Sequence, residues 1–159
     1  QPARALDLPP ARLLAVDLAA DGAVAAGAAL TEQARMDADR PLELVAVGDT
    51  LYYSTEGVHL GVDGTLRRWD PTTRAGEMIA TGLAFPDSLT ATAGYLCFGL
   101  MRAADVREVE CLRRADGRLV LVHRSPSELL PYLPVTFGDQ VLWSQADAAG
   151  DETVSATLP

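Results

Sequence analysis

The sequence predicts an all-β chain, a partial β-propeller of about three four-stranded antiparallel blades. Three observations carry that expectation: an internal repeat of 45 residues, alternation of apolar side chains within each repeat, and turn signals between short strands. The repeat is read from GDTLYYS at 48–54, AGYLCFG at 93–99 and GDQVLWS at 138–144, which align without gaps. Each has a small residue first, an aliphatic residue fourth (Leu51, Leu96, Val141) and an aromatic sixth (Tyr53, Phe98, Trp143). A period near 45 lies among those of propeller blades. Residues two apart share one face of a strand, so each aliphatic–aromatic pair is expected to point into the layer between neighbouring blades.

The elements follow in order. RLLAVDL and GAVAAGA, joined at Asp21-Gly22, read as the last two strands of a preceding blade; with the loop that follows, this piece spans 11–41. The Ala-rich stretch 24–38 has helix-forming composition, but Gly27 and the repeat register favour a strand and then a long loop. Thr31 to Pro41 is expected to be a polar, mobile insertion. One blade then covers 42–86, with strands near 42–47, 50–54, 65–70 and 76–80. The next covers 87–132, with strands near 88–92, 95–100, 108–114 and 118–123. A further blade starts in 133–159, with strands near 133–137, 140–145 and 153–158. Asp116-Gly117 marks one hairpin, because Gly tolerates the positive φ such turns need. Asp70-Pro71 opens another turn. The shared LRR at 66–68 and 112–114 suggests that these third strands align at a spacing of 46, placing Ala115 where Trp69 stands. Coincidence among short hairpins, or a small β-sandwich, is the competing explanation.

About three blades do not close a ring, since propellers close with roughly four to eight. Open blade faces and strand edges aggregate unless covered. The arc is therefore expected to be completed by further blades from another chain or chain segment, with a homo-oligomeric ring as the alternative.

Composition narrows the function classes. Hydrophobic residues make up 48% of the 159 and charged residues 22%, a globular balance. The formal net charge is −9, so the clustered Lys and Arg that hold phosphates are missing and nucleic acid is not an expected partner. No apolar run reaches the 18 residues of a membrane span.

Cys97 and Cys111 are the two cysteines. They lie on consecutive strands of one blade, and a hairpin centred near residue 104 sets them opposite each other. A cross-strand disulfide and an oxidising compartment (secreted, periplasmic or cell-surface) follow if the pair is bonded; two reduced cysteines packed as small hydrophobes are the alternative. His59 and His123 lack metal-ligand spacing, so no metal or other cofactor is expected. Ser54, His59 and Asp63 spell a triad on paper but without a nucleophile elbow, and no catalytic residue is assigned. Asp49 and Asp139 recur in one turn and read as acceptors of backbone N–H groups. Arg67–Arg68 and Arg113–Arg114 read as salt-bridged strand pairs at equivalent positions. Glu56, Asp63, Asp87 and Asp105 lie in loops that reach one face of the disk. Trp69 is the aromatic least tied to the repeat and is the preferred candidate for an exposed aromatic, with core packing as the competing reading. Trp69, Glu56, Asp87 and Asp105 are the candidate ligand-binding residues.

The units GDTLYYS…TLRRWDPTTRAG and GDQVLWS resemble blades of bacterial NHL, YncE-like and related non-enzymatic propellers over about residues 42–145. The resemblance implies binding through one face of the disk or its channel. The functional expectation is a non-catalytic module that binds protein or glycan. The alternative is a fragment of a propeller enzyme, a lyase or hydrolase, with acidic loops at the channel mouth.

Overall fold

The computed structural model describes residues 11–15, 31–36, 41–55, 63–70, 72–73, 75–103, 106–126, 132–147 and 150–159. All regular structure among them is β. A hairpin pairs β1 (Ala11–Ala15) with β2 (Thr31–Met36). Three antiparallel meanders follow. The first blade is β3 (Pro41–Val47), β4 (Thr50–Thr55), β5 (Gly64–Asp70) and β6 (Ala75–Leu83). The second is β7 (Asp87–Ala91), β8 (Tyr95–Ala103), β9 (Val106–Arg113) and β10 (Leu119–Pro126). The third has three strands, β11 (Tyr132–Phe137), β12 (Gln140–Asp147) and β13 (Gly150–Thr157). This is the partial set of propeller-like blades that the repeat predicted.

The repeat fixes the register of the first two strands in every blade. Leu51 pairs with Ala46, Leu96 with Ala91 and Val141 with Thr136, each 45 residues on from the last. The turns between these strands use Gly48 and Gly138 at φ 58° and 61°, the left-handed region that Gly enters without a Cβ clash. First strands of consecutive blades lie side by side. Glu43 on β3 accepts the Leu89 N–H of β7 through Oε2. The Thr90 and Thr136 hydroxyls, on β7 and β11, meet at 2.9 Å.

The aliphatic–aromatic pairs face backwards onto the preceding blade, as alternation requires. Leu96 and Phe98 pack with Tyr52, Leu66 and Leu83 of the first blade, and Leu89, Leu100 and Leu112 complete that layer. Val141 and Trp143 pack against Tyr95, Cys97, Val109 and Cys111 of the second blade, with Leu158 beside them. Full burial of an aliphatic or aromatic side chain contributes about 1.5–3 kcal/mol, so these two layers hold the blades together.

Two sequence expectations need correction. Thr31–Met36, read as part of a mobile insertion, is a strand. It supplies the partner of Ala11–Ala15, a place assigned to GAVAAGA, whose residues lie outside those described. Strand formation satisfies the backbone groups that a loop reading left open. The LRR alignment also fails. Leu51 pairs with Trp69, Leu96 with Leu112 and Val141 with Ala156, so equivalent third-strand positions lie 43 and then 44 residues apart. The link from β8 to β9 is shorter than that from β4 to β5, which draws the third strand forward. Trp69 is matched by Leu112, not Ala115, and the two arginine pairs are not equivalent.

Candidate functional site

In such meanders the first-to-second and third-to-fourth turns gather at one end of the strands, and the second-to-third and blade-to-blade connections at the other. Asp87 begins β7 at the latter end, here the upper rim. It lies opposite Gly99. A Cβ on Gly99 would stand 2.2 Å from Asp87 Oδ1, so the absence of a side chain makes room for the carboxylate. Arg107 Nη1 approaches Asp87 Oδ2 at 3.4 Å. Burial raises the Asp87 pKa above the ordinary carboxylate value; Arg107 opposes the rise and the Glu43 carboxylate adds to it. The backbone around Asp87 is unusual. Phe85 and Ser88 have φ of 52° and 55°, a region sparsely used by residues with a Cβ. Non-Gly residues held there each cost about 1–3 kcal/mol and cluster at functional sites.

A second group of charges lies on the same rim. Glu108, buried on β9, accepts from Arg102 Nε at 2.7 Å and from Arg124 Nε at 2.6 Å. Arg102 Nη2 also reaches Glu110 Oε1 at 2.8 Å. Burial alone would push the Glu108 carboxyl up, but the hydrogen bonds from both arginines outweigh it and hold the group below its usual value. Glu110 Oε2 is buried without a hydrogen-bond partner. Glu43, Arg102, Glu108 and Glu110 were not singled out from sequence. The available signal was Glu108-Val109-Glu110, two carboxylates on one strand face whose partners, Leu100 and Phe98, are apolar.

The opposite end carries an open depression of about 530 Å³ beside the turn from β5 to β6. Asp49, Arg68, Trp69, Asp70 and Glu77 are among the residues that line it. Arg68 and Glu77 form an exposed ion pair. Asp70 accepts the Thr72 N–H at 2.8 Å and the Thr73 hydroxyl at 2.9 Å, and these bonds lower its pKa. Trp69 was the candidate for an exposed aromatic, against core packing. It is 8% exposed and pairs across the ladder with the partly buried Leu51.

Of the four candidate ligand-binding residues, Trp69 and Asp87 therefore stand at opposite ends of the strands, and the structure does not bring them together. Glu56 and Asp105 lie outside the described residues, as does His59. His123 packs on Trp143 across the second and third blades, ring centres 5.0 Å apart and planes tilted by 33°. Cys97 and Cys111 face each other in the β8–β9 ladder and form a disulfide with Cα atoms 4.0 Å apart. Among the described residues no group of three or more His, Cys, Asp or Glu is placed to hold a metal ion, and no helix is long and apolar enough to cross a membrane.

The fold is thus an all-β arc of antiparallel blades with a charged upper rim. No family model matches the chain, and no curated protein matches it. Solved structures do. One is the crystal structure of a serine-to-alanine mutant of puromycin hydrolase complexed with PGG, similar with a TM-score of 0.66 and 15% identity over 92% of this chain. The chain spans 22% of that hydrolase chain. At this identity the likeness concerns the fold.

Proposed function

We propose that this chain is part of the propeller of a larger hydrolase, and that its upper rim forms part of the charged mouth through which substrate passes. The observation that carries this reading is the likeness to puromycin hydrolase, which takes in nearly the whole of this chain and under a quarter of the other. In this reading bond cleavage belongs to sequence outside these 159 residues. The arc contributes walls and charge: Asp87 with Arg107, beside Glu43, presents a carboxylate and a guanidinium to the polar end of a substrate. The buried disulfide supports folding in an oxidising compartment, secreted, periplasmic or cell-surface.

The test is to isolate the native polypeptide with an antibody raised against the chain, determine its mass, and assay it on puromycin and on simple amides and esters. The expected result is a species well above 16.8 kDa that hydrolyses one of these substrates. A native product of that mass, or a longer one without hydrolysis, overturns the reading.

One observation favours a second reading, an NHL- or YncE-like module that binds protein or glycan. The depression near Trp69 has the volume of ligand pockets, roughly 300–1,000 Å³, and combines an aromatic ring with charges of both signs.

A further inference from the structure

The backward-facing pairs in the two layers, Leu96 with Phe98 and Val141 with Trp143, stand at repeat-equivalent positions, as do Tyr52 and Cys97 on the forward faces. Val45, Val47 and Tyr52 form the forward face of the first blade and pack in the layer against the second. Ninety residues on stand Val135, Phe137 and Leu142 of the third blade. They occupy the same ladder positions: Val45 pairs with Tyr52 as Val135 does with Leu142, and Val47 pairs with Thr50 as Phe137 does with Gln140. Yet Val135 is 55% exposed and Phe137 79% exposed. Their side of the sheet is the one turned away from Val141 and Trp143, which are buried against the second blade. At the far end of the arc one position differs in the same way, although Tyr53 on that face is buried. Leu89 is 9% exposed within the first layer, whereas Leu44, its equivalent 45 residues earlier on the backward face of the first blade, is 49% exposed.

We propose that Val135, Phe137 and Leu142 form the seat of a further blade of the same repeat. This rests on the reading of the chain as part of a longer propeller. The occupant is specified by what fills the two seats already formed. It brings a first strand to lie beside β11, and a second strand whose aliphatic-x-aromatic pair points backwards, as Leu96 with Phe98 and Val141 with Trp143 do. A second copy of this chain is a poorer fit, because Tyr53 and Trp69 on its backward face are already buried, at 4% and 8% exposure. An apolar patch of this kind, left open, is an association or aggregation surface.

The test uses thiol labelling. Both native cysteines are bonded to each other, so Phe137→Cys introduces a single reactive thiol. Leu121→Cys, at a position 49% exposed on β10, serves as the reference. In the isolated chain both sites label rapidly. In the longer native polypeptide Phe137→Cys labels severalfold more slowly, because a blade packed on it covers it as the second blade partly covers its equivalent Val47, while Leu121→Cys is unchanged. Equal labelling of Phe137→Cys in the two contexts overturns the proposal. So does concentration-dependent protection in the isolated chain with dimer formation in sedimentation, which makes a second copy the occupant. Absence of any longer polypeptide overturns it together with the reading it rests on. Loss of hydrolysis alone bears on that reading and leaves the seat intact.

Discussion

The Arg114 guanidinium stands 5.1 Å from the centre of the Tyr52 ring and gives that residue's hydroxyl two hydrogen bonds, from Nε at 3.1 Å and Nη2 at 2.9 Å. A third donor, Nη1, is given to the Ala93 carbonyl in the turn of its own blade. The contact ties the second blade to the first across 62 residues of sequence. Removing the hydroxyl with Tyr52→Phe leaves the ring contact and deletes both hydrogen bonds. The expected loss is about 1.5–3 kcal/mol, the range for hydrogen bonds to charged groups. Urea unfolding of Tyr52→Phe, Arg114→Ala and the double variant checks it. Additive losses in that cycle are the result that rules out coupling.

Breaking the Cys97–Cys111 bond releases a loop of sequence separation 14 in the unfolded chain. Loop entropy predicts a cost of about 3 kcal/mol for a loop of that size. Both sulfurs sit in the layer between the second and third blades. Paired Cys97→Ala and Cys111→Ala substitutions, or reductant, should lower the urea midpoint accordingly. An unchanged midpoint with and without reductant contradicts the bond.

Burial lowers the His123 pKa below 6.5. Between the lowered value and 6.5 the unfolded chain takes up a proton that the folded chain refuses, so stability falls as pH drops through that window. Trp143, which covers the ring, gives an imidazolium no anionic partner. Thermal melts between pH 7.5 and 5.5 should show the fall, and His123→Gln should flatten it; a variant with the wild-type slope assigns the fall to other groups. Asp116, exposed and held at about 2 by Arg113 and the Arg118 N–H, acts in a separate, more acidic window. Its contribution is present above 3.8 and lost as pH falls from there towards 2.

Gly76 lies beneath the Tyr53 hydroxyl. A Cβ there would stand 1.8 Å from Tyr53 Oη. Gly76→Ala should destabilise the first blade by about 1–3 kcal/mol, as overpacking does. Tyr53→Phe in the Gly76→Ala background should recover part of the loss by removing the clashing atom. Calorimetry of Gly76→Ala, Tyr53→Phe and the double variant distinguishes this from a general cost of losing Gly, which the second substitution would not repair.

The first two strands of each blade were legible because their signals are local. Leu51 with Tyr53, Leu96 with Phe98 and Val141 with Trp143 alternate over two-residue steps between glycine turns, and the ladder keeps their spacing. Cys97 and Cys111 were legible for the same reason, since a short hairpin brings opposite residues together by symmetry. The third strands were placed, but their alignment between blades was not legible, because their register depends on the length of the preceding connection and not on an LRR match. The rim was half visible. Asp87 stands out as a loop carboxylate, but the pairing of Glu108 with Arg102 and Arg124 is made across three strands, and no single-strand pattern encodes it.

The constant step in the first two strands and the drifting step in the third, 43 and then 44 residues, divide each blade into an inner half of fixed spacing and an outer half of variable spacing. A shorter connection from the second to the third strand is matched by an equally longer stretch from the third strand to the next blade, so the first two strands keep their 45-residue step. For an engineer that connection is the natural graft point. A peptide inserted there alters the outer half of one blade and leaves the contacts between first strands, such as Thr90 with Thr136, in place.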